Sequence, residues 1–335
     1  MLSDFDYDLP EELIAQHPPE RRDGGRLLVL ERQKAGLVHR QIDVLPELLP
    51  AGCLLVVNDT RVLAARLPLQ RDSGGAVEAL LIEQLDAKQR IWSAMLKPAR
   101  RLRAGEQLLA GDTGQPAVEL LDKGQDRLAR IRLLADDLIE RIGRMPLPPY
   151  IRREAEDFDA ERYQTVYARH QGSVAAPTAG LHLSPELIAR LAERRIELAR
   201  ITLHVGPGTF LPVRVERLEA HRMHQEHYLV SERAAEQIAS ARRDGRPVIA
   251  VGTTSTRTLE ASQGRAGSGQ TDLFIRPGYR FGQIDGLLTN FHLPRSTLLM
   301  LVCALAGRER VLEAYREAVK QRYRFFSYGD AMLII

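Results

Sequence analysis

Short runs of apolar residues divide the chain into two kinds of region. Residues 26–30 and 54–57 are apolar for almost their whole length and end at polar turn residues, which is typical of strands buried on both faces. Between residues 62 and 134 the apolar runs alternate with glycine-containing or polar turns and cover residues 77–82, 90–95, 117–121 and 128–133. Five or six short strands over about eighty residues favour a closed β-barrel, because closure leaves no exposed edge.

A different pattern follows a proline-rich segment at residues 145–150. Three prolines in five positions fit neither a helix nor a central strand, so this segment marks a boundary. Beyond it, Ser184 and Ser231 are predicted to cap helices, and residues 198–205 and 247–251 are predicted strands. Such alternation indicates a parallel sheet with helices on its faces.

These patterns predict an α/β protein with two domains. We expect an α/β/α sheet domain formed by both ends of the chain, residues 1–61 and 150–335, which would carry the catalytic site. A small antiparallel β-barrel domain is expected as an insertion at residues 62–149.

Composition places the chain among folded proteins of a reducing compartment. Of the 335 residues, 44% are hydrophobic and 27% are charged, which argues against disorder, and the net charge is only +3. The two cysteines, Cys53 and Cys303, are too few for a disulfide framework and lie in apolar runs, so buried thiols are expected. The start of the sequence is acidic and lacks a signal pattern, and the longest apolar run, residues 298–306, is too short to span a membrane. We therefore expect a cytoplasmic protein.

Polar and glycine-rich loops follow three predicted strands. They lie at residues 58–61, 206–210 and 252–257. Ligands of open α/β sheets collect at the carboxyl ends of strands, so together these loops predict a site, although each alone is an ordinary turn or cap. The loop at 252–257 leads toward a helix, where amide groups and hydroxyls suit an anion or carboxylate. The sequence contains no Walker loop, dinucleotide fingerprint or nucleophile elbow.

The nine histidines raise the questions of metal binding and proton transfer. His221, His224 and His227 recur every third residue, a spacing that does not align three ligands on one strand or helix face, so no metal site is expected. His182, His204 and His292 each stand in a loop with Gly, Thr or Asn, where proton transfer is conceivable and a structural histidine is the competing interpretation.

Positive charge is clustered although its total is small. Six Lys or Arg and no acidic residue lie between Lys88 and Arg103, and further arginines flank the proline-rich segment. Such clusters attract phosphates, which favours a nucleic-acid partner, while a solvated barrel face explains the charges equally well. At residues 308–324 interspersed glutamates favour a salt-bridged helix instead.

Eight blocks of sequence carry a resemblance that spans nearly the whole chain. They are YDLPEELIAQ (7–16), VNDTRV (57–62), APTAGLH (176–182), LHVGPGTF (203–210), MHQE (223–226), GTTSTRTLE (252–260), LTNFHLPRSTL (288–298) and FSYGDAM (326–332). In content and order they resemble the S-adenosylmethionine:tRNA ribosyltransferase-isomerase family of queuosine biosynthesis. His227 and Cys303 depart from the family pattern, so the resemblance gives neither of them a role.

The resemblance implies a tRNA-modifying transferase. Its reaction moves the ribosyl part of S-adenosylmethionine onto the aminomethyl group of 7-aminomethyl-7-deazaguanine at the tRNA wobble position, with isomerisation to epoxyqueuosine and release of adenine and methionine. It also implies an α/β domain with an inserted barrel. S-adenosylmethionine is then a co-substrate, no metal or other cofactor is expected, and we expect a monomer without membrane association.

This chemistry, set against the motif positions, yields candidate catalytic residues. The hydrogens at the 5′ carbon beside the sulfonium are acidic, so a base can start the rearrangement, and His204, Asp59 and Glu226 are candidates. His182, His292, Thr253 and Thr254 are candidates for assisting departure of adenine and opening of the ribose. Asp59 or Asp330 would accept a proton from the incoming amine.

Further motif residues are candidates for binding the two substrates. Arg257 or Arg295 would bind the carboxylate of the methionine part. The full set of predicted substrate-binding residues is Asn58, Thr60, Thr178, Gly180, Gly206, Gly208, Thr209, Thr253, Thr254, Arg257, Asn290, Arg295, Ser296 and Asp330. For tRNA the predicted residues are Arg61, Arg66, Lys97, Arg100 and Arg101, because they lie at or near the inserted barrel.

Two other functions fit parts of the sequence. A non-catalytic RNA-binding protein would use the basic clusters but leaves the polar strand-end loops unexplained. A methyltransferase would use the same co-substrate and yield S-adenosylhomocysteine; the absence of a glycine-rich fingerprint after the first strand speaks against it.

Overall fold

The computed structural model describes residues 1–34, 36–124, 128–206 and 215–335. The strands in these residues are β1 (Arg26–Leu30), β2 (Val38–Gln41), β3 (Leu54–Asn58), β4 (Thr60–Val62), β5 (Arg66–Arg71), β6 (Ala76–Asp86), β7 (Ile91–Lys97), β8 (Gln107–Ala110), β9 (Pro116–Asp122), β10 (Leu128–Leu133), β11 (His170–Ser173), β12 (Glu197–Leu203), β13 (Glu226–Val230), β14 (Val248–Val251), β15 (Gly267–Thr271), β16 (Gly286–Asn290) and β17 (Ala331–Ile334). The α-helices are α1 (Leu45–Leu48), α2 (Leu138–Ile142), α3 (Asp159–Arg162), α4 (Pro185–Glu193), α5 (Glu232–Arg243), α6 (Thr253–Ser262), α7 (Thr297–Ala306) and α8 (Arg308–Lys320). Short 3₁₀ helices lie at Leu2–Phe5, Glu11–Leu13, Ile42–Val44, Thr178–His182 and Leu218–Ala220.

Nine of these strands form one twisted sheet in the order β15-β13-β12-β3-β14-β16-β17-β1-β2. Its centre is parallel, as predicted, but β13, β15, β2 and the β16–β17 pair run antiparallel to their neighbours, so the sheet is mixed. Two helices, α7 and α8, separate β16 from β17. Because a second helix returns the chain to the edge at which β16 ends, β17 runs back alongside it.

Alternate residues of the central strands enter two separate apolar layers. In β3, Leu54 and Val56 pack with residues of α5, α6, α7 and α8, while Leu55 and Val57 pack with residues of α1 and α4 on the opposite face. Successive side chains of a strand point to opposite faces, so a strand that is apolar throughout has to be covered on both sides. The α/β/α architecture expected from the sequence is confirmed.

Serine caps fix the starts of three helices. The Ser184 hydroxyl accepts a hydrogen bond from Leu187 N at 3.0 Å, and Ser231 accepts one from Ala234 N at 3.2 Å, as predicted. Ser296 caps α7 in the same way, through Leu299 N at 3.2 Å.

The short strands of the middle region close into an antiparallel barrel in the order β10-β7-β6-β5-β8-β9. Its interior is filled by alternate residues of each strand, and α2 packs against the same core through Leu138 and Ile142. The predicted small barrel is therefore present. All six strands lie within residues 62–149, and the division of the chain into two domains at 61/62 and 149/150 stays a prediction.

Short contacts join the barrel to the sheet. Strand β4, which directly follows β3, pairs in parallel with β11. Met145 and Leu147 of the proline-rich segment, and Ile151 directly after it, are buried against Tyr163 and Tyr328. In the described residues, no helix is both long and apolar enough to cross a membrane.

Both cysteines are buried, as expected. Burial raises the pKa of the Cys53 thiol to about 11 and that of Cys303 to about 12, which keeps both thiols protonated and unreactive at neutral pH.

Candidate active site

A cavity of about 410 Å³ opens where β14 and β16 end. Gly252–Thr254 follow β14, Thr289 and Asn290 end β16, and residues 291–298 continue from it. Residues 175–179 and 326–327, together with Tyr150, complete the wall. A cavity at the carboxyl ends of parallel strands is where an α/β sheet binds its ligand, and its volume suits a nucleoside-sized molecule.

Two helices begin at this cavity. Helix α6 starts at Thr253 after Gly252, whose φ of 90° favours glycine, and α7 starts at Thr297 after the Ser296 cap. The first turns of both helices contribute lining residues, Thr253 and Thr254 from α6 and Thr297 and Leu298 from α7. Unpaired amide groups and the helix dipole make such termini favourable for a carboxylate.

An aromatic pair forms another part of the wall. The ring centroids of Tyr150 and Phe326 are 4.3 Å apart, and the Tyr150 hydroxyl lies 2.6 Å from Ser327 Oγ. Each of these rings has a flat apolar face on which a planar base can stack. Sequence reasoning did not select either residue, although Phe326 begins the FSYGDAM block and Tyr150 ends the proline-rich segment.

His292 places an imidazole in the cavity. Its Nε2 lies 2.8 Å from Thr289 Oγ1, and its main chain is held by the Tyr7 and Tyr315 hydroxyls, so both ring and backbone are fixed. Burial lowers the pKa of His292 to about 3, which keeps the ring neutral. Among the described lining residues, the other side chains that titrate are those of Tyr150 and Arg295.

His182 is buried beneath the cavity and does not line it. Its Nε2 lies 3.1 Å from Asn290 Nδ2, which also donates to the Phe326 carbonyl at 3.0 Å. Burial lowers the pKa of His182 to about 4, although the charge of Asp330 acts in the opposite direction. This neutral histidine positions Asn290, whose Oδ1 is buried and has no hydrogen-bond partner in the described part of the chain.

Acidification is expected to lower the stability of the protein, because the buried His182 binds a proton less readily than it does in the unfolded chain. An unfolded histidine binds a proton below about pH 6.5, whereas the folded ring does so only near pH 4, so the free energy of unfolding falls as pH falls between these values, by about 3 kcal/mol. Urea unfolding of the wild type and His182→Gln at several pH values measures this. The variant should be less stable at pH 7 and lose less stability toward pH 4; identical slopes would contradict the assignment.

Other predicted residues of this region are held by the protein itself. Asp330 accepts hydrogen bonds from the amide groups of Arg26 and Arg324, both at 2.8 Å, and it does not line the cavity. Arg295 lines the cavity but its guanidinium is paired with Asp6. Ser296 also lines the cavity while its hydroxyl caps α7.

Asp59 and His204 lie outside this cavity. The Asn58 side chain accepts hydrogen bonds from Leu203 N and Thr60 N, which joins the ends of β3 and β12. Asp59 Oδ1 accepts one from Thr202 Oγ1 at 2.7 Å, and Thr60 Oγ1 lies 2.9 Å from His204 Nδ1. Asn58, Asp59 and Thr60 therefore lie in a neighbouring cluster of polar residues, separate from the cavity.

Glu226 and Arg257, predicted separately as a base and as a carboxylate binder, are partners. Arg257 Nη1 donates to Glu226 Oε2 in a buried ion pair, and Arg257 Nε donates to the Leu273 carbonyl at 3.1 Å. Glu226 Oε1 also accepts from Gly206 N at 3.4 Å. The charge of Arg257 is thus balanced within the protein.

The remaining predicted loop residues differ in their surroundings. Thr178 lines the cavity. Gly180 is packed so closely that a Cβ there would lie 2.2 Å from the Tyr167 hydroxyl, a steric requirement for glycine, whereas a Cβ at Gly206 would meet nothing within 4 Å. Gly208 and Thr209 lie outside the described residues.

The five cations predicted to contact tRNA fall into two groups. Arg66 is half-buried, donates to both oxygens of Glu78 at 3.0 Å and also donates to the Leu147 carbonyl, so it is already engaged. Arg61 on β4, Lys97 at the end of β7, and Arg100 and Arg101 beyond that strand are exposed. Within the described ranges, the last three have no acidic partner within 4.0 Å, and Lys123 joins them by donating to the Arg100 carbonyl. We call Lys97, Arg100, Arg101 and Lys123 the barrel patch.

In the described part of the chain, no group of three or more His, Cys, Asp or Glu side chains is placed to hold a metal ion. The cavity and its surroundings are instead lined by hydroxyls, amides, an imidazole and aromatic rings.

Comparison with known proteins relates the chain to one family. The model of a family described as queuosine biosynthesis protein matches residues 2–334. The S-adenosylmethionine:tRNA ribosyltransferase-isomerase of Symbiobacterium thermophilum is 53% identical over 100% of this chain and 99% of its own length. The proteins of the same name from Desulfitobacterium hafniense and an Anaeromyxobacter species are 50% and 54% identical, over 100% and 99% of this chain and 99% and 98% of their own lengths.

A solved structure agrees with this relationship. The crystal structure of an S-adenosylmethionine tRNA ribosyltransferase from Thermotoga maritima is 37% identical in sequence, with a TM-score of 0.57, and the match covers 99% of this chain and 100% of that one. The chain therefore belongs to the S-adenosylmethionine:tRNA ribosyltransferase-isomerase family of queuosine biosynthesis, a family of transferases.

Proposed function

We propose that this protein transfers and isomerises the ribosyl moiety of S-adenosylmethionine onto 7-aminomethyl-7-deazaguanine at the tRNA wobble position. The products are epoxyqueuosine-tRNA, adenine and methionine. The observation that carries the proposal is the cavity at the ends of β14 and β16, because five of the family's sequence blocks supply its walls. We take the activity to be cytoplasmic and the protein to be a monomer, and S-adenosylmethionine is the one small co-substrate that the reaction requires.

The cavity suggests how S-adenosylmethionine is oriented. Its adenine would stack on the Tyr150 and Phe326 rings, and its methionine carboxylate would lie at the first turns of α6 and α7, near Thr253 and Thr254. In this arrangement Arg257 and Arg295 do not bind the carboxylate, since each already has an acidic partner. The ribose and sulfonium would then lie between the two ends, beside the imidazole of His292.

His292 is the base that this arrangement favours for the 5′ carbon. A neutral imidazole has a lone pair that accepts the proton, and Thr289 holds the ring in one orientation. Glu226 is paired with Arg257, and Asp59 and His204 lie outside the cavity, so these three candidates are less suited to this step.

The barrel patch is proposed to bind the phosphates of tRNA. In an Arg100→Ala/Arg101→Ala variant we expect weaker tRNA binding and a plot of log affinity against log salt that is shallower by about 1 to 2, since each phosphate contact contributes roughly 0.7 to 0.9. Titrations at several salt concentrations measure both quantities. Arg130→Ala is the matched control, because Arg130 is an exposed barrel arginine already paired with Asp122. Unchanged affinity and slope in the double variant would remove the barrel patch from the interface.

Product analysis tests the proposed reaction. The protein is mixed with S-adenosylmethionine and tRNA that bears the aminomethyl-deazaguanine base, and the products are examined by mass spectrometry. Adenine, methionine and a heavier tRNA base are expected. S-adenosylhomocysteine would indicate methyl transfer, and tight tRNA binding without turnover would indicate a non-catalytic RNA-binding protein.

A further inference from the structure

A second groove, of about 330 Å³, lies on one face of the sheet near its β15 edge. The residues that define it are His170, Thr202, His204, His227, Leu229, Ser268 and Gln270, and we call it the histidine groove. In the register of β12, β13 and β15, His227 pairs with Gln270, and Leu229 pairs with both Ser268 and Thr202. Paired residues project from the same face, so three strands present one continuous surface.

Three imidazoles dominate this surface. His204 Nδ1 lies 2.9 Å from Thr60 Oγ1, and its ring packs on Gly172, where a Cβ would come within 2.9 Å of Cε1. His227 lies 3.1 Å from Gln270 Nε2 and 3.7 Å from Glu83 of the barrel. Imidazole rings offer faces on which an unpaired nucleobase can stack.

A buried carboxylate lies behind the rings. Asp59 is 4% exposed; its Oδ1 accepts from Thr202 Oγ1, and its Oδ2 lies 3.8 Å from His170 Nε2. Burial, together with the charges of His170 and His227, lowers the pKa of His204, while the charge of Asp59 raises it. The groove thus combines ring faces with a negative charge that suits a ligand carrying a protonated amine.

The groove shares a wall with the cavity proposed for S-adenosylmethionine. Ser173 Oγ donates to the Ala175 carbonyl at 2.7 Å and accepts from Val205 N at 2.9 Å. Ala175 and Val205 line the cavity, whereas His204, the residue before Val205, lines the groove. The groove and the cavity are therefore adjacent at residues 204–205.

The barrel connects the groove to the barrel patch. Glu83, which contacts His227, lies on β6 five residues from Glu78, the cross-strand partner of Lys97. At about 3.4 Å per residue this separation is about 17 Å, a span of a few nucleotides. An RNA strand held by the barrel patch can extend to the histidine groove.

We propose that the histidine groove binds the unpaired acceptor base of the tRNA and that His204 takes the proton from its aminomethyl group. This inference rests on the proposed function. An alkylamine is protonated near neutral pH, so one N–H bond of the ammonium must break before the nitrogen can attack. The electron pair stays on nitrogen, the proton moves to Nε2 of His204, and the resulting imidazolium is stabilised by the Asp59 carboxylate.

A pH-rescue experiment tests the role of His204. In His204→Gln, turnover at pH 7 should fall by about 100-fold, with S-adenosylmethionine binding unchanged, and the deficit should shrink as pH rises through the pKa of the amine. The titratable groups that face His204 are His170, His227 and Asp59, with Glu83 beyond His227. The pH profile of His204→Gln is compared with that of His224→Gln, because His224 is an exposed histidine outside the groove. Wild-type turnover, or a deficit that is constant with pH, would overturn the proton-accepting role.

A binding experiment tests the base site without turnover. An anticodon stem-loop with 2-aminopurine at the wobble position should lose fluorescence on binding the wild type, because the base stacks on the rings. The quench should be absent in His170→Ala/His227→Ala when the RNA is saturated. If the wild type quenches the fluorescence but releases no adenine, base binding in the histidine groove is supported and the proposed reaction is refuted. Bound RNA without quenching, or equal quenching in the variant, would refute the groove.

Discussion

His292→Gln is expected to reduce adenine release by at least about 100-fold while leaving the dissociation constant for S-adenosylmethionine within a few-fold of the wild-type value. A positioned general base contributes about 10²- to 10⁴-fold to a rate, and glutamine keeps a polar group of similar reach without a basic nitrogen. His292 is placed for this role by Thr289, whose hydroxyl lies 2.8 Å from Nε2. Single-turnover adenine release and equilibrium binding of S-adenosylmethionine separate the two effects.

The pH profile gives this prediction a second readout. Burial lowers the pKa of His292 to about 3, so the ring stays unprotonated above that pH and adds no acid limb to the wild-type profile between pH 5 and 8. Thr289→Val removes the hydroxyl at Nε2 and is expected to lower the rate by a smaller factor, because the base remains but is less well oriented. A His292→Gln variant with the wild-type rate would contradict the assignment.

Patterns that repeat within a few residues were sufficient to predict the framework. Apolar runs such as residues 54–57 predicted strands covered on both faces, and the serines at 184 and 231 predicted helix starts, because each depends on neighbouring residues alone. The rule that ligands lie at the carboxyl ends of parallel strands then located the cavity beside Gly252–Thr254. The antiparallel direction of β17 beside β16 was missed, since it depends on the two helices that intervene between them.

The roles of polar side chains depended on partners that sequence does not reveal. Asp330 looks like a free carboxylate in its motif, but it binds the amide of Arg26, which is 304 positions away. Tyr150 and Phe326 come from distant parts of the chain and form one aromatic wall only after folding. In each case the decisive contact is made across the sheet or between loops, and no local spacing encodes it.

The buried pair of Glu226 and Arg257 is expected to be essential to the fold. Removing either partner should lower the free energy of unfolding by about 3–5 kcal/mol, because the buried ion pair would lose one of its two opposite charges. Both side chains are at most 5% exposed, and Arg257 Nη2 has no hydrogen-bond partner in the described residues, so little solvent is available to replace the lost partner.

A double-mutant cycle distinguishes this ion pair from two independent structural residues. Glu226→Gln removes the negative charge beside Arg257 and Arg257→Met removes the positive charge beside Glu226, whereas the double variant removes both charges. Urea unfolding of all four proteins should therefore show that the double variant loses much less stability than the sum of the single variants. Additive losses would mean that the two charges are not coupled.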